Sequence, residues 1–67
     1  MKLAVILTPG EDGYVVAECP TLPGCVSQGR AEDDALQNIR NAIIGWLEVE
    51  AEKVEKEAEA PVRVLDL

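Results

Sequence analysis

Residues 14–29 read YVVAECPTLPGCVSQG, and RAEDDALQNIRNAIIGWL follows directly as residues 30–47. Tyr14 to Cys19 is rich in β-branched and aromatic side chains and reads as a strand. Pro20-Thr21-Leu22-Pro23-Gly24 interrupts it, because two prolines so close together do not lie inside a sheet. Cys25 to Gln28 is a short strand that Gly29 closes. The chain then changes period. Ala35, Leu36, Ile39, Ala42, Ile43, Trp46 and Leu47 recur at helical spacing and form one apolar stripe. Glu32, Asp33 and Asp34 place negative charge in the first helical turn, where unpaired N–H groups favour it. The cap is weak, because Arg30 and Ala31 stand where a serine or threonine belongs.

Upstream, Lys2 to Thr8 is a strand apolar on both alternating faces, which places it inside the sheet and not at its edge. Pro9 to Gly13 is a turn, and its Asp-Gly pair suits a hairpin with positive φ. Downstream, the apolar stripe stops after Leu47. Glu50 and Glu57 fall on the same face, and only Val54 maintains it. Residues 48–60 are therefore expected to stay helical while leaving the core, supported by a Glu52–Lys56 pair. Pro61 ends the helix. Val62 to Leu67 is a last strand, and a right-handed crossover places it parallel to the first. The predicted fold is α+β with the order β-β-β-α-β. It has an antiparallel three-stranded sheet, a C-terminal strand parallel to strand 1 and one helix on one face.

Sixty-seven residues make a single domain, spanning 1–67, with a modest core. No stretch reaches the roughly 18 uninterrupted apolar residues of a membrane span. The apolar run after Lys2 is too short for a signal-peptide core and leads into a turn, so the expected address is the cytoplasm. The net charge of −7 repels nucleic-acid phosphates and attracts a basic partner, or it serves only to keep a small domain soluble. Cys19 and Cys25 have no zinc spacing, and the chain has no histidine to complete a site. They are expected to be reduced, half-buried hydrophobes.

Catalytic chemistry finds little to stand on. Ser27 is the one serine, with no imidazole to activate it. Nothing beside Cys25 lowers its pKa. Metal-dependent phosphodiester cleavage needs several acids converging from a strand and a helix, whereas strand 1 has none and Glu18 is the single mid-sheet carboxylate. No phosphate-binding loop or basic stripe is present. No cofactor, metal site or catalytic residue is expected, and the chain is not read as an enzyme.

Surfaces remain. Ile44 lies nearly opposite the apolar stripe among Gln37, Arg40, Asn41 and Glu48, and reads either as a scattered exposed side chain or as a partner anchor. Leu22 is either a core plug or a contact. A first strand apolar on both faces, with one helix to cover the sheet, points to self-association.

At the second strand the pattern is specific. Gly13-Tyr14-Val15-Val16-Ala17-Glu18-Cys19-Pro20, Leu22-Pro23-Gly24-Cys25, Ser27-Gln28-Gly29 and Glu32-Asp33-Asp34-Ala35-Leu36 together resemble the HicB family of antitoxins. The likeness runs from the first strand to about Leu47. It departs at Ala31, where the family has serine or threonine, and at Asp34, where it has glutamate. The resemblance implies a partial ribonuclease-H-like fold without nuclease chemistry. It also implies a partner: a HicA-type toxin, a small basic ribonuclease that cleaves mRNA, whose RNA-binding face the antitoxin covers. The partner-binding residues expected here are Ile44, Glu48, Glu52 and Glu55. Direct nucleic-acid binding and membrane association are not expected, and neither is a C-terminal DNA-binding segment of the kind many relatives carry. Two other readings stay open: an orphan oligomer (dimer or tetramer) without a toxin, and a residual metal-dependent nuclease using Glu18.

Overall fold

The computed structural model describes all 67 residues. Three antiparallel strands, β1 (Ile6–Pro9), β2 (Val15–Glu18) and β3 (Val26–Gly29), form one sheet in the order β1-β2-β3. A single helix, α1 (Glu32–Glu57), follows. The turn between β1 and β2 is a 3-10 turn at Glu11–Gly13 in which Asp12 and Gly13 hold φ of 55° and 79°. The Asp-Gly pair thus takes the left-handed conformation expected of it. Backbone bonds knit the second reversal: Cys19 N–H donates to the Cys25 carbonyl, and Leu22 and Cys25 N–H groups donate to the Cys19 and Leu22 carbonyls.

Strand alternation sorts the side chains. Leu3, Val5 and Leu7 from the first segment, Val15, Ala17 and Cys19 from the second, and Cys25 from the third all point toward α1. From the helix come Ala35, Ile39, Ala42, Ile43, Trp46 and Leu47. Six hydrophobic residues are buried and form the core: Ala17, Cys19, Leu22, Cys25, Ala35 and Ile39. Leu22 is therefore a core plug. Two side-chain bonds tie the helix to the β2–β3 reversal and to β3. The Trp46 indole Nε1–H donates to the Pro23 carbonyl at 3.0 Å, and Asn38 Nδ2 donates to the Gln28 carbonyl at 2.7 Å.

Four expectations need correction. β1 lies at a sheet edge, because β2 is its one neighbour. Its two-faced apolarity is met by the core on one side and by no protein on the other, so Ile6 stays 50% exposed. Residues 58–67 form no strand. The helix ends at Glu57, with Ala58 already extended at φ −71°, ψ 137°, and the segment beyond makes no ladder with β1. Leu36 is exposed, since it lies at the margin of the helix stripe, away from the sheet. The expected Glu52–Lys56 pair is absent. Instead Lys53 donates to half-buried Glu50 at 3.1 Å.

The helix start is uncapped. Ala31 sits at the N-cap with extended φ −140°, ψ 169°, and no side chain accepts from the first-turn N–H groups. Ala31→Ser supplies an acceptor without altering the backbone and is expected to raise the unfolding free energy by about 1 kcal/mol, read by urea denaturation.

Cys19 and Cys25 are both free thiols, more deeply buried than the sequence suggests. Extending the β2–β3 register by one residue from Glu18↔Val26 sets them opposite each other. Burial pushes the Cys25 thiol above its ordinary value, and neighbouring Cys19 adds to the rise. Both effects make it a poor nucleophile. In the native state at neutral pH, alkylation of both thiols is expected to be at least about a hundredfold slower than in denaturant, because it requires opening of the core. Rapid labelling of the folded protein would remove this account. The sign for stability follows. A proton held more tightly by the folded state stabilises fully below the unfolded thiol's pKa. That contribution is lost as the pH rises through the folded value, so it weakens only in alkali.

Candidate partner-binding surface

The helix outlasts the sheet it covers. Its 26 residues span about 39 Å at 1.5 Å per residue. The molecule is drawn out accordingly, with principal extents of 48 × 19 × 15 Å. Ile39 and Trp46 hold the first half against β3 and β2, while beyond Glu50 and Ala51 every residue of the helix is exposed.

Ile44, Glu48, Glu52 and Glu55 fall at intervals of four, four and three residues, which puts them on one face of α1. All four are exposed, and Ile44 keeps 49% of its surface. This face lies opposite the buried Ala35 and Ile39, so the structure brings the four expected residues together as a continuous outward stripe. None of the three glutamates has an ion-pair partner, since the chain's one salt bridge joins Lys53 to Glu50. The helix holds eight acids against three bases, giving it −5 of the chain's net −7. Partners of opposite sign would meet these carboxylates without first breaking internal bonds.

A second surface, less evident from the sequence, is the sheet face turned away from α1. Ile6, Glu18 and Val26 stand side by side across the three strands, as do Thr8, Val16 and Gln28. Ile6 and Val26 are each about half exposed, with Glu18 between them. Glu18 thus points outward, away from the acidic first turn of α1. No group of three Cys, Asp or Glu side chains converges as a metal-binding cluster. The grooves are shallow. One of about 390 Å³ runs between Tyr14, Arg30 and the helix residues Asp34, Gln37 and Asn38, with the Arg30 guanidinium 5.9 Å from the Tyr14 ring centroid. No helix is long and apolar enough to cross a membrane.

Fold and surface together define a small α+β domain whose surface carries 13 acids against 6 bases, with scattered exposed aliphatic side chains among them. The chain belongs to the HicB-like antitoxin family of bacterial toxin-antitoxin systems, whose family model matches residues 3–66. A UPF0150 protein of Thermoplasma acidophilum is 50% identical over 48 residues, covering 72% of this chain and 70% of the relative. A UPF0150 protein of Archaeoglobus fulgidus is 41% identical over 49 residues, covering 73% and 71%. One of Helicobacter pylori is 40% identical over 55 residues, covering 81% and 75%. No solved structure matches the chain. Membership of a toxin-antitoxin family implies a toxin as partner.

Proposed function

We propose that this chain is a non-catalytic, cytoplasmic binding module that neutralises a HicA-type mRNA-cleaving toxin by covering its RNA-binding surface. The observation that carries this reading is the unpaired acidic stripe on α1, with Ile44 at its core-proximal end. A ribonuclease that holds RNA presents cationic side chains spaced for phosphates. Carboxylates projected from a rigid helix offer such side chains charge-assisted hydrogen bonds. Ile44 supplies apolar contact beside them. The module acts by occupation alone and binds no nucleic acid itself, since its net charge of −7 opposes phosphate. Its β-β-β-α order corresponds on this reading to a truncated ribonuclease-H-like fold from which the metal-binding acids have gone.

The test is titration with the cognate basic toxin. Stoichiometric suppression of RNA cleavage, weakening as salt is raised, is the expected result. Cleavage that persists at micromolar excess, or inhibition indifferent to salt, would count decisively against this reading.

The outward sheet face favours a second reading, an oligomeric module without a toxin. Ile6 and Val26 are left to water in the single chain, and self-association would cover them. Self-association is compatible with toxin binding, because the sheet face and the acidic stripe lie on different sides. Absence of a short basic reading frame beside the gene would favour the orphan form.

A further inference from the structure

No backbone–backbone hydrogen bond involves residues 59–67, and the one bond within the segment is local, from Arg63 Nη1 to the Val62 carbonyl at 2.8 Å. Yet Val64, Leu65 and Leu67 keep 63%, 81% and 92% of their surface exposed. A second stretch lacks partners at the other end of the chain. The β1–β2 ladder begins only at Ile6, so residues 2–5 run beyond it, and the outer edge of β1 has no neighbour along its length. Leu3, Val5 and Leu7 nevertheless pack on the core, which holds this edge in place as a template.

We propose that residues 62–67 form a strand on the outer edge of β1 in a second copy of this chain, and that exchange of two such tails closes a two-fold dimer. This rests on the self-association proposed above and names the segment that produces it. Length fits: six extended residues span about 20 Å, as does the run from Lys2 to Leu7. Pattern fits too. Val62 and Val64 share one face with Asp66, and Leu65 and Leu67 share the other with Arg63, so each face of the tail is two-thirds apolar, as suits an edge strand on a sheet with one covered and one open face.

Charge selects this contact among the possible ones. Lys2 is the one charged side chain in residues 1–10, whereas Glu59, Arg63 and Asp66 give residues 58–67 a net −1. Helix against helix would set −5 against −5. The tail and the β1 edge, of opposite sign, can therefore meet with attraction where two helices would repel. Within one chain the two segments stay unpaired despite their tether. A pairing there requires the chain to reverse at Ala58–Pro61, directly after the helix, and a second copy presents the same edge without that turn. Reciprocal exchange satisfies both tails and both edges, and it is closed by symmetry.

The full chain should sediment as a dimer in the micromolar range. Val64→Pro and Leu65→Pro each remove one backbone donor, and successive N–H groups point to opposite sides of a strand. At least one of the two variants should weaken dimerisation tenfold or more while leaving the helical circular dichroism unchanged. To separate exchange from closure within a chain, isotopically heavy chains carrying Thr8→Cys are mixed with light chains carrying Leu67→Cys and treated with a short thiol cross-linker. Heavy–light products are expected. A monomeric full chain would overturn both this inference and self-association. Dimers of unchanged affinity in both proline variants would overturn the exchange alone and assign the contact to the outward sheet face. Absence of heavy–light products, with cross-links forming only within a control chain that carries both Thr8→Cys and Leu67→Cys, would likewise overturn it.

Discussion

Gly29→Ala is expected to lower the unfolding free energy by about 3 kcal/mol, at the severe end of what a small overpacking change does. A Cβ at this position would lie 2.4 Å from the Ala35 backbone nitrogen and 2.7 Å from the Asp34 carbonyl carbon and Cβ. Two of these atoms are helix backbone, and they do not swing aside as a side-chain tip would. The first turn of α1 must therefore retreat from β3. Ala35 and Ile39, two of the six core residues, move with it. For a domain of 67 residues the whole stability is about 3–10 kcal/mol, so the variant sits near the edge of folding. Its melting temperature should fall by more than about 10 °C. Gly45→Ala is the control of opposite sign. Nothing lies within 4 Å of its added Cβ, and alanine in a helix interior is favoured by about 0.5–1 kcal/mol. If Gly29→Ala melts like the parent, the close approach of strand and helix described above is wrong.

The same glycine illustrates what the amino-acid pattern carries and what it does not. Gly29 is legible as the end of a strand, because glycine punctuates. Its closeness to Ala35 is not legible, since that depends on how α1 folds back over β3. Short-range features are generally readable here. The Asp12-Gly13 turn, the interruption at Pro20–Gly24, the acidic helix start and the outward position of Ile44 all follow from local chemistry or periodicity. The sheet order does not. Alternation along residues 2–8 states that both faces want cover, and that demand alone points to an inner strand. The structure gives the same residues one covered face and one open one. Residues 62–67 also read as a strand, yet they form none, because strand propensity by itself supplies no partner edge. The bonds from Trp46 to Pro23 and from Asn38 to Gln28 join residues 23 and 10 positions apart and have no local signature. Glu50 on the apolar face reads as the helix leaving the core, yet Lys53 lets it stay half-buried there. The acidic stripe is legible because helical spacing alone decides which side chains share a face.

Reversing that stripe should have the largest effect on partner binding. Glu48→Lys, Glu52→Lys and Glu55→Lys together bring the net charge from −7 to −1 and place three cations where a basic toxin would meet three carboxylates. Attraction becomes repulsion at a surface whose steering alone changes association rates by about 10–10³-fold. Affinity for the toxin is expected to fall at least about a hundredfold at low salt. The deficit should shrink as ionic strength rises, because screening at physiological salt already acts within about 8 Å. Folding should be nearly unaffected. All three positions are exposed, and the new like-charge neighbours, such as the cation that Glu52→Lys sets four residues before Lys56, cost about 0.2–0.5 kcal/mol each. The control changes charge equally elsewhere, with Glu11→Lys, Glu18→Lys and Glu59→Lys. If the toxin reads only overall charge, the two triple variants lose affinity alike. If α1 is the docking face, the helix triple loses far more, and Ile44→Asp added to it removes what remains. Equal losses would move the contact off the helix, and no loss in either would leave the acidic stripe as nothing more than a solvated surface.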